Sequence, residues 1–206
     1  MESDAIFQMI SSNNLEKIRK DNTVRNNVNK LHEDRCEHSY STFLLHTIEE
    51  GWLEGTRFMI EMGADIHLCL PWEPMPLGLA VDKGDFQTAK LLLESGANPN
   101  KGGVDNSPIC DAIGMERVDL LHLLIHSGAE VNTGFGFDNT PLMYASYCGN
   151  LTIIKILIKA GACVHFIDEH GFNAKEIAIE AGHDKVAKYL RGCLKRGVGG
   201  RKAFRG

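Results

Sequence analysis

The sequence predicts an all-α fold, a solenoid in which short helix–turn–helix units stack side by side. A Gly-Ala step returns at intervals of 33, 32 and 33 residues, which is typical of repeat arrays. The apolar residues before each step follow a helical period. Since one short helix pair cannot bury its own apolar face, each unit is expected to pack on its neighbours. The alanines of the four steps are Ala64, Ala97, Ala129 and Ala162.

The fourth unit shows the expected elements in order. Thr140 is a good N-cap, and Pro141 suits the first turn of a helix, where a missing N–H costs nothing. Gly149 interrupts this first helix, and the Ile- and Leu-rich run 151–158 predicts a second one. Gly161 is expected to stop the second helix in a left-handed backbone conformation that a Cβ atom resists.

A second motif keeps the same period. Its clearest copy is TPLMYA at residues 140–145, and a fifth copy, NAKEIA, begins at Asn173 without a closing Gly-Ala step. Period and motif resemble the T-P-L-H-x-A signature of the ankyrin repeat family. The resemblance covers about residues 37–191 and implies an ankyrin-repeat solenoid with β-hairpin fingers. The motif starts at Thr42, Met75, Ser107, Thr140 and Asn173.

The resemblance also sets the domain boundaries. The array is expected at 37–67, 70–100, 102–132, 135–165 and, as a C-terminal cap, 168–191. The family's histidine is replaced in every copy, so we expect fewer hydrogen bonds between neighbouring repeats and a less stable array than an idealised one. The replacing residues are Leu45, Gly78, Cys110, Met143 and Lys175.

The two ends differ from the array. Residues 1–36 are predicted to hold a helical N-terminal cap at 4–20 and the start of a polar, irregular insertion that spans 21–40. Residues 192–206 are predicted to be a basic, flexible tail. Residues 191–206 carry six Lys or Arg and no acid, so residues 1–190 hold 16 basic and 27 acidic side chains, a net charge of −11.

The composition narrows the class of protein. No apolar run approaches the ~20 residues that span a bilayer, and the first residues do not resemble a secretory signal. Six scattered cysteines without a C-x-x-C pair are expected to be reduced thiols. We therefore predict a cytoplasmic protein, with the nucleus or the cytosol of a host cell as alternatives.

Two constellations raise the question of catalysis or metal binding. His122 and His126 have the i, i+4 spacing that can hold zinc, but the repeat register places both on the outer side with no further ligand. Cys148 would need an oriented base to act as a nucleophile, and the neighbouring repeats supply no histidine at the matching position. We predict no enzyme activity, no metal and no cofactor.

The resemblance implies binding through the finger tips and the inward ends of the first helices. Large aromatic residues at such positions favour a binding surface, because aromatic anchors dominate interface energies. For Trp72, packing onto its own repeat is the alternative. The predicted partner-binding residues are Pro71, Trp72, Val104, Phe135, Phe137 and His170 in the fingers, and Glu49, Glu50, Asp82, Lys83, Met115 and Tyr147 at the helix ends.

These features predict a protein–protein interaction module that acts as an inhibitor, a neutralising partner or an adaptor. The acids near the N-terminal end of the site favour a partner with a basic surface. We expect a monomer when unbound and no small-molecule substrate. One alternative is a microbial or viral effector or immunity-type protein directed at one enzyme. The other is contact of the basic tail with nucleic acid or anionic membrane, of which nucleic acid is disfavoured by the acidic body.

Overall fold

The computed structural model forms the predicted all-α repeat fold, with ten helices and two two-residue strands in the part of the chain that it describes. The chain divides into two compact units, unit 1 at residues 1–104 and unit 2 at residues 105–206. The described residues are 12, 16, 18, 29, 32–33, 40–68, 75–102, 107–133 and 140–197.

In unit 1 a short antiparallel strand pair precedes the helix pairs, and His32 of β1 faces Ser41 of β2. Strand β1 lies within the segment predicted to be an irregular insertion, so two residues of that segment form a strand. Two helix pairs follow, and α1 packs against both α2 and α3, while α4 packs against α2 and α3. The elements are β1 (His32–Glu33), β2 (Tyr40–Ser41), α1 (Phe43–Glu49), α2 (Leu53–Glu61), α3 (Pro76–Asp82) and α4 (Phe86–Glu94).

Side-chain caps start helices of unit 1. Thr42 Oγ1 accepts a hydrogen bond from the N–H of Leu45 at 3.2 Å, and the Asp85 carboxylate accepts from two N–H groups of the first turn of α4 at 3.1 Å. Each cap satisfies donors that a helix start leaves without a partner. The apolar sides of the helices then form the core, where Phe43, Ile48 and Met59 are fully buried.

Unit 2 repeats the arrangement three times. The first helix of its middle pair, α7, packs against the first helices on either side, and each first helix packs against its own second helix. The elements are α5 (Pro108–Gly114), α6 (Val118–His126), α7 (Pro141–Cys148), α8 (Leu151–Lys159), α9 (Ala174–Glu180) and α10 (Asp184–Arg196).

The fourth repeat confirms the predictions made for it. Thr140 Oγ1 accepts from the N–H of Met143 at 3.3 Å, and Pro141 is the first residue of α7. Gly149 ends α7 with a φ of 77°, and Gly161 follows α8 with a φ of 98°. Both values lie in the left-handed region, where glycine avoids the strain of a Cβ atom.

The side chain of an asparagine forms hydrogen bonds with the backbone of the following repeat. The Asn132 amide donates to the carbonyl oxygen of Gly161 at 3.0 Å and accepts from the N–H of Cys163 at 2.7 Å. In unit 1, Asn29 makes two bonds of the same kind, 3.1 and 2.6 Å long. These asparagine bonds therefore link neighbouring repeats, although the family's histidine is missing from every copy.

The last helix is longer than expected. We predicted that the basic tail begins at residue 192, but α10 continues to Arg196 and ends at Gly197. Gly192 lies inside this helix, where a glycine lowers stability by about 1 kcal/mol relative to alanine. Burial of Cys193, which is 1% exposed, offsets that cost. Residues 198–206 of the predicted tail, and all but three positions of the cap predicted at 4–20, lie outside the described residues. None of the described helices is long and apolar enough to cross a membrane.

Candidate functional site

The ends of the first helices occupy one register position in every repeat. Each of these residues lies seven positions after the N-cap of its helix, so the stacking of first helices within a unit places neighbouring ends side by side. The five residues are Glu49, Asp82, Gly114, Tyr147 and Glu180, and the residues that follow them are Glu50, Lys83, Met115, Cys148 and Ala181.

In unit 1 this position is charged. Glu49, Glu50, Asp82 and Lys83 are all exposed. The Glu49 carboxylate lies 3.7 Å from Nδ1 of His46, and the Glu50 carboxylate lies 4.0 Å from Nε2 of the same ring. We call Glu49, Glu50 and Asp82 the acidic ends. They create a negative field at the ends of two packed helices.

In unit 2 this region carries large exposed apolar side chains beside the exposed carboxylate of Glu180. Tyr147 is 65% exposed, Ile179 47% and Met115 37%, and we call these three residues the apolar ends. Side chains of this size are rarely this exposed together unless they contact another molecule. Sequence reasoning selected Met115 and Tyr147 but missed Ile179. Its register equivalents are fully buried, whereas α9 has no further first helix beside it in the described chain.

A histidine from the last repeat holds the Tyr147 region in place. Nε2 of His183 lies 2.9 Å from the carbonyl oxygen of Tyr147. The imidazole also lies against Gly149, where an added Cβ atom would come within 2.5 Å of the ring. Gly149 therefore permits both the left-handed turn and the close approach of His183. Sequence reasoning missed this contact, which joins residues 36 positions apart.

The turn beside Met115 is strained. Glu116 has a φ of 55° and is the one non-glycine residue with positive φ among the described residues. The left-handed conformation costs a residue with a Cβ atom roughly 1 kcal/mol, and such strain is often found at functional sites. The other four repeats place glycine at this position, namely Gly51, Gly84, Gly149 and Gly182.

The cysteines near this surface do not have the properties of nucleophiles. Burial raises the pKa of the Cys148 thiol, and Tyr144 is its hydrogen-bond partner. Burial also raises the pKa of Cys110 to about 12. A thiol needs a lowered pKa or an adjacent base to be activated. Both thiols are therefore protonated near neutral pH.

The histidine pair is exposed on the outer side of α6, as the register predicted. The ring centroids of His122 and His126 lie 6.2 Å apart, and Nδ1 of His126 lies 2.7 Å from the backbone oxygen of His122. Among the described residues, no group of three or more His, Cys, Asp or Glu side chains is arranged to hold a metal ion.

The fifth finger is a tight loop. The Asp168 carboxylate accepts from the N–H groups of His170 and Phe172 at 2.9 and 2.8 Å, and a bridge joins Ile167 to Asn173 at its base. His170 is exposed as predicted. Ile167, which was not predicted, is 63% exposed and adds apolar surface to this finger.

Five binding residues that the sequence predicted for finger tips lie outside the described residues and stay predictions. They are Pro71, Trp72, Val104, Phe135 and Phe137.

Comparison with known proteins identifies the repeat. A family model for three copies of the ankyrin repeat matches residues 44–135 and again 109–197. The chain is 30% identical over 128 residues to a transient receptor potential cation channel subfamily A member 1 homolog of Caenorhabditis elegans, covering 60% of this chain and 10% of the relative. It is 32% identical over 123 residues to a glycerophosphocholine phosphodiesterase of Schizosaccharomyces pombe, covering 59% and 11%.

A shorter relative is matched over nearly its whole length. The cyclin-dependent kinase 4 inhibitor B of Rattus norvegicus is 32% identical over 115 residues, which is 55% of this chain and 88% of the relative. In contrast, the chain spans only about a tenth of the channel homolog and of the phosphodiesterase.

Proposed function

Because this chain belongs to the ankyrin repeat family, whose members are generally non-catalytic binding modules, we propose that it binds one protein partner through the ends of its first helices. The observation that carries the proposal is the exposure of Tyr147 and Met115 at adjacent register positions, at the ends of two packed helices. Large, rigid side chains of this kind supply most of the free energy of association in protein interfaces.

The chemistry of the site supports recognition rather than catalysis. The thiol of Cys148 has a raised pKa because of burial, and the other residues at the helix ends are apolar residues, glycine, exposed carboxylates and the exposed Lys83. The carboxylates of unit 1 fit a basic patch on a partner. The exposed apolar residues of unit 2, taken by themselves, fit an apolar patch. Charged groups around such an interface mainly raise the association rate and the specificity.

Within this binding role, we favour an inhibitor or neutralising partner over an adaptor. The relative from Rattus norvegicus is by its name an inhibitor of a kinase, and the matched repeats make up 88% of it. An ankyrin array can thus inhibit with little chain beyond its repeats. The proposal includes a cytoplasmic site of action. It also includes the alternative of a microbial or viral effector, and the identity of the partner tests that alternative.

A comparative capture experiment tests the proposal. The tagged full chain and its Met115→Ala/Tyr147→Ala variant are used as baits in extracts of the native cells, and captured proteins are quantified by mass spectrometry. We expect at least one protein to be retained by the wild-type chain and by a Tyr189→Ala control, and lost from the variant. If the variant captures the same proteins in the same amounts, the apolar ends are not the binding site.

A further inference from the structure

The outer side of unit 2 carries a second surface that the proposed function does not use. A groove of about 510 Å³ runs between α6 and α8. Ile125, Ile156 and Ala160 give it an apolar floor, and the polar lining comes from both helices. The groove lies on the second helices of the repeats, whereas the apolar ends belong to the first helices.

The rim of this groove is basic. On α8, Lys155 and Lys159 are one helical turn apart, and on α6 the exposed His122 and His126 have the same spacing. Among the described residues, no aspartate or glutamate lines the groove. The Lys155 ammonium lies 5.8 Å from the centroid of the Tyr189 ring, and neither lysine forms an ion pair within the described residues. We call this surface the basic groove.

The outer side of unit 1 shows that the basic rim is specific to unit 2. There, the cation at the equivalent position is followed four residues later by an acid, as in the Lys90–Glu94 pair of α4, whose charged atoms are 3.8 Å apart. Arg57 and Glu61 of α2 have the same spacing. In α6 and α8 the acid of this pattern is replaced by His126 and Lys159. Unit 2 therefore gains local positive charge within a body whose net charge is −11 over residues 1–190.

We propose that the basic groove binds an acidic segment of a protein whose carboxylates pair with Lys155 and Lys159 and whose apolar side chains enter the groove. Charge complementarity selects the acidic partner. The apolar floor distinguishes a peptide from other polyanions. A DNA duplex or a bilayer surface could pair with the lysines but would leave Ile125 and Ile156 uncovered, whereas a leucine or phenylalanine side chain removes them from water.

The probe is a fluorescein-labelled peptide with the repeating sequence Glu-Asp-Leu-Phe, titrated with the full chain and followed by fluorescence anisotropy. We expect Lys155→Glu/Lys159→Glu to weaken binding by roughly tenfold or more, because two attractive charge pairs become repulsive. The matched control is Arg57→Glu/Lys90→Glu, which makes the same charge change on the outer side of unit 1 and is expected to stay within about twofold of wild type.

Further variants separate this site from the apolar ends and from simple charge attraction. Ile156→Ser is expected to weaken binding by about threefold or more, and a Glu-Asp-Ser-Ser peptide is expected to bind wild type more weakly than the apolar one. Tyr147→Ala is expected to leave peptide binding unchanged, whatever it does to the partner proposed above. Circular dichroism confirms that each variant keeps the helical content of wild type.

The proposal is overturned by equal binding of the peptide to the Lys155→Glu/Lys159→Glu variant, or by equal binding of the serine peptide. It is also overturned if Tyr147→Ala abolishes peptide binding, because the peptide would then occupy the first-helix ends. Stronger binding of phosphatidylserine vesicles or of duplex DNA than of the peptide would assign the groove to a different class of polyanion and contradict the proposal.

Discussion

Units 1 and 2 are built from the same kind of helix pair, but the side chains at the ends of their first helices differ in type. In unit 1 these ends are Glu49, Glu50, Asp82 and Lys83, all exposed and charged. In unit 2 the large exposed apolar residues at these ends are Met115, Tyr147 and Ile179, and Glu180 is the exposed acid. The outer sides differ as well, because the positions of the Lys90–Glu94 ion pair of unit 1 are taken by two lysines, Lys155 and Lys159, in α8 of unit 2.

One buried position shows little of this variation. Five residues after the N-cap, four of the first helices carry an alanine that is 0% exposed and α1 carries the equally buried Thr47, so close packing leaves room only for a small side chain. The surface positions are not constrained in this way, so binding chemistry can change from repeat to repeat on a constant core. The four alanines are Ala80, Ala112, Ala145 and Ala178.

The largest expected effect comes from Gly149→Ala, which tests the packing of His183 on the turn after α7 in unit 2. The substitution adds backbone strain at a φ of 77° and a contact within 2.5 Å of the His183 ring. We expect a loss of about 3 kcal/mol in the free energy of unfolding, measured by urea denaturation.

The matched control is Gly51→Ala in unit 1. Gly51 also has positive φ, 66°, but an added Cβ atom would meet nothing within 4 Å. Strain alone is expected to cost this variant ~1 kcal/mol. Equal losses in the two variants would show that His183 does not press on the turn after α7.

Next in size is the effect of Tyr147→Ala on partner affinity. Removing an exposed aromatic anchor from the centre of an interface typically costs ~2 kcal/mol, roughly a thirtyfold rise in Kd. Calorimetric titration with the partner checks this value. Tyr189→Ala, which removes the same side chain from α10, is expected to leave the Kd within about twofold, and a similar loss in both variants would argue against a localised site.

A smaller effect is expected from the acidic ends. Glu49→Gln/Glu50→Gln/Asp82→Asn removes three charges, and we expect a roughly three- to tenfold slower association that disappears at high salt. Stopped-flow association rates at several salt concentrations measure this change. The control Glu54→Gln/Glu61→Gln/Glu94→Gln removes three acids from the outer side of unit 1. If both variants slow association equally, net charge rather than position is responsible.

The smallest effect is expected from Glu116→Gly, which replaces the strained residue with the one that the other repeats use. Relief of the left-handed strain at a φ of 55° is expected to stabilise the chain by ~0.5 kcal/mol, since the added flexibility of the unfolded chain offsets part of the gain. Thermal unfolding monitored by circular dichroism checks the sign. A destabilised variant would indicate that the Glu116 side chain makes a contribution larger than the strain.

The fold and part of the site could be predicted from the sequence because both follow from repeat phase. Once the period is known, the position of Tyr147 relative to Thr140 places it at an exposed helix end, and the structure confirms that exposure. The same phase shows that Glu116 occupies a repeat position where the other four repeats have glycine. Sequence reasoning did not use this signal. The exposure of His122 and His126 also follows from phase.

The rest depends on contacts that phase does not contain. The bond between His183 and Tyr147 joins two repeats, and the continuation of α10 past Gly192 depends on the burial of Cys193. Ile179 has the register of a core residue and is exposed only because no described first helix follows α9. The charge difference between the outer sides could be predicted from the sequence. The groove between α6 and α8 could not, because it depends on how the two helices pack.

Hydrogen–deuterium exchange of the full chain with and without its partner tests the central claim most directly. If the partner binds the first-helix ends, protection is expected in peptides that contain Met115, Tyr147 and Ile179, with weaker protection around Glu49 and Asp82. Protection confined to α6, α8 and α10, with the Tyr147 peptide exchanging as in the unbound chain, would contradict the account.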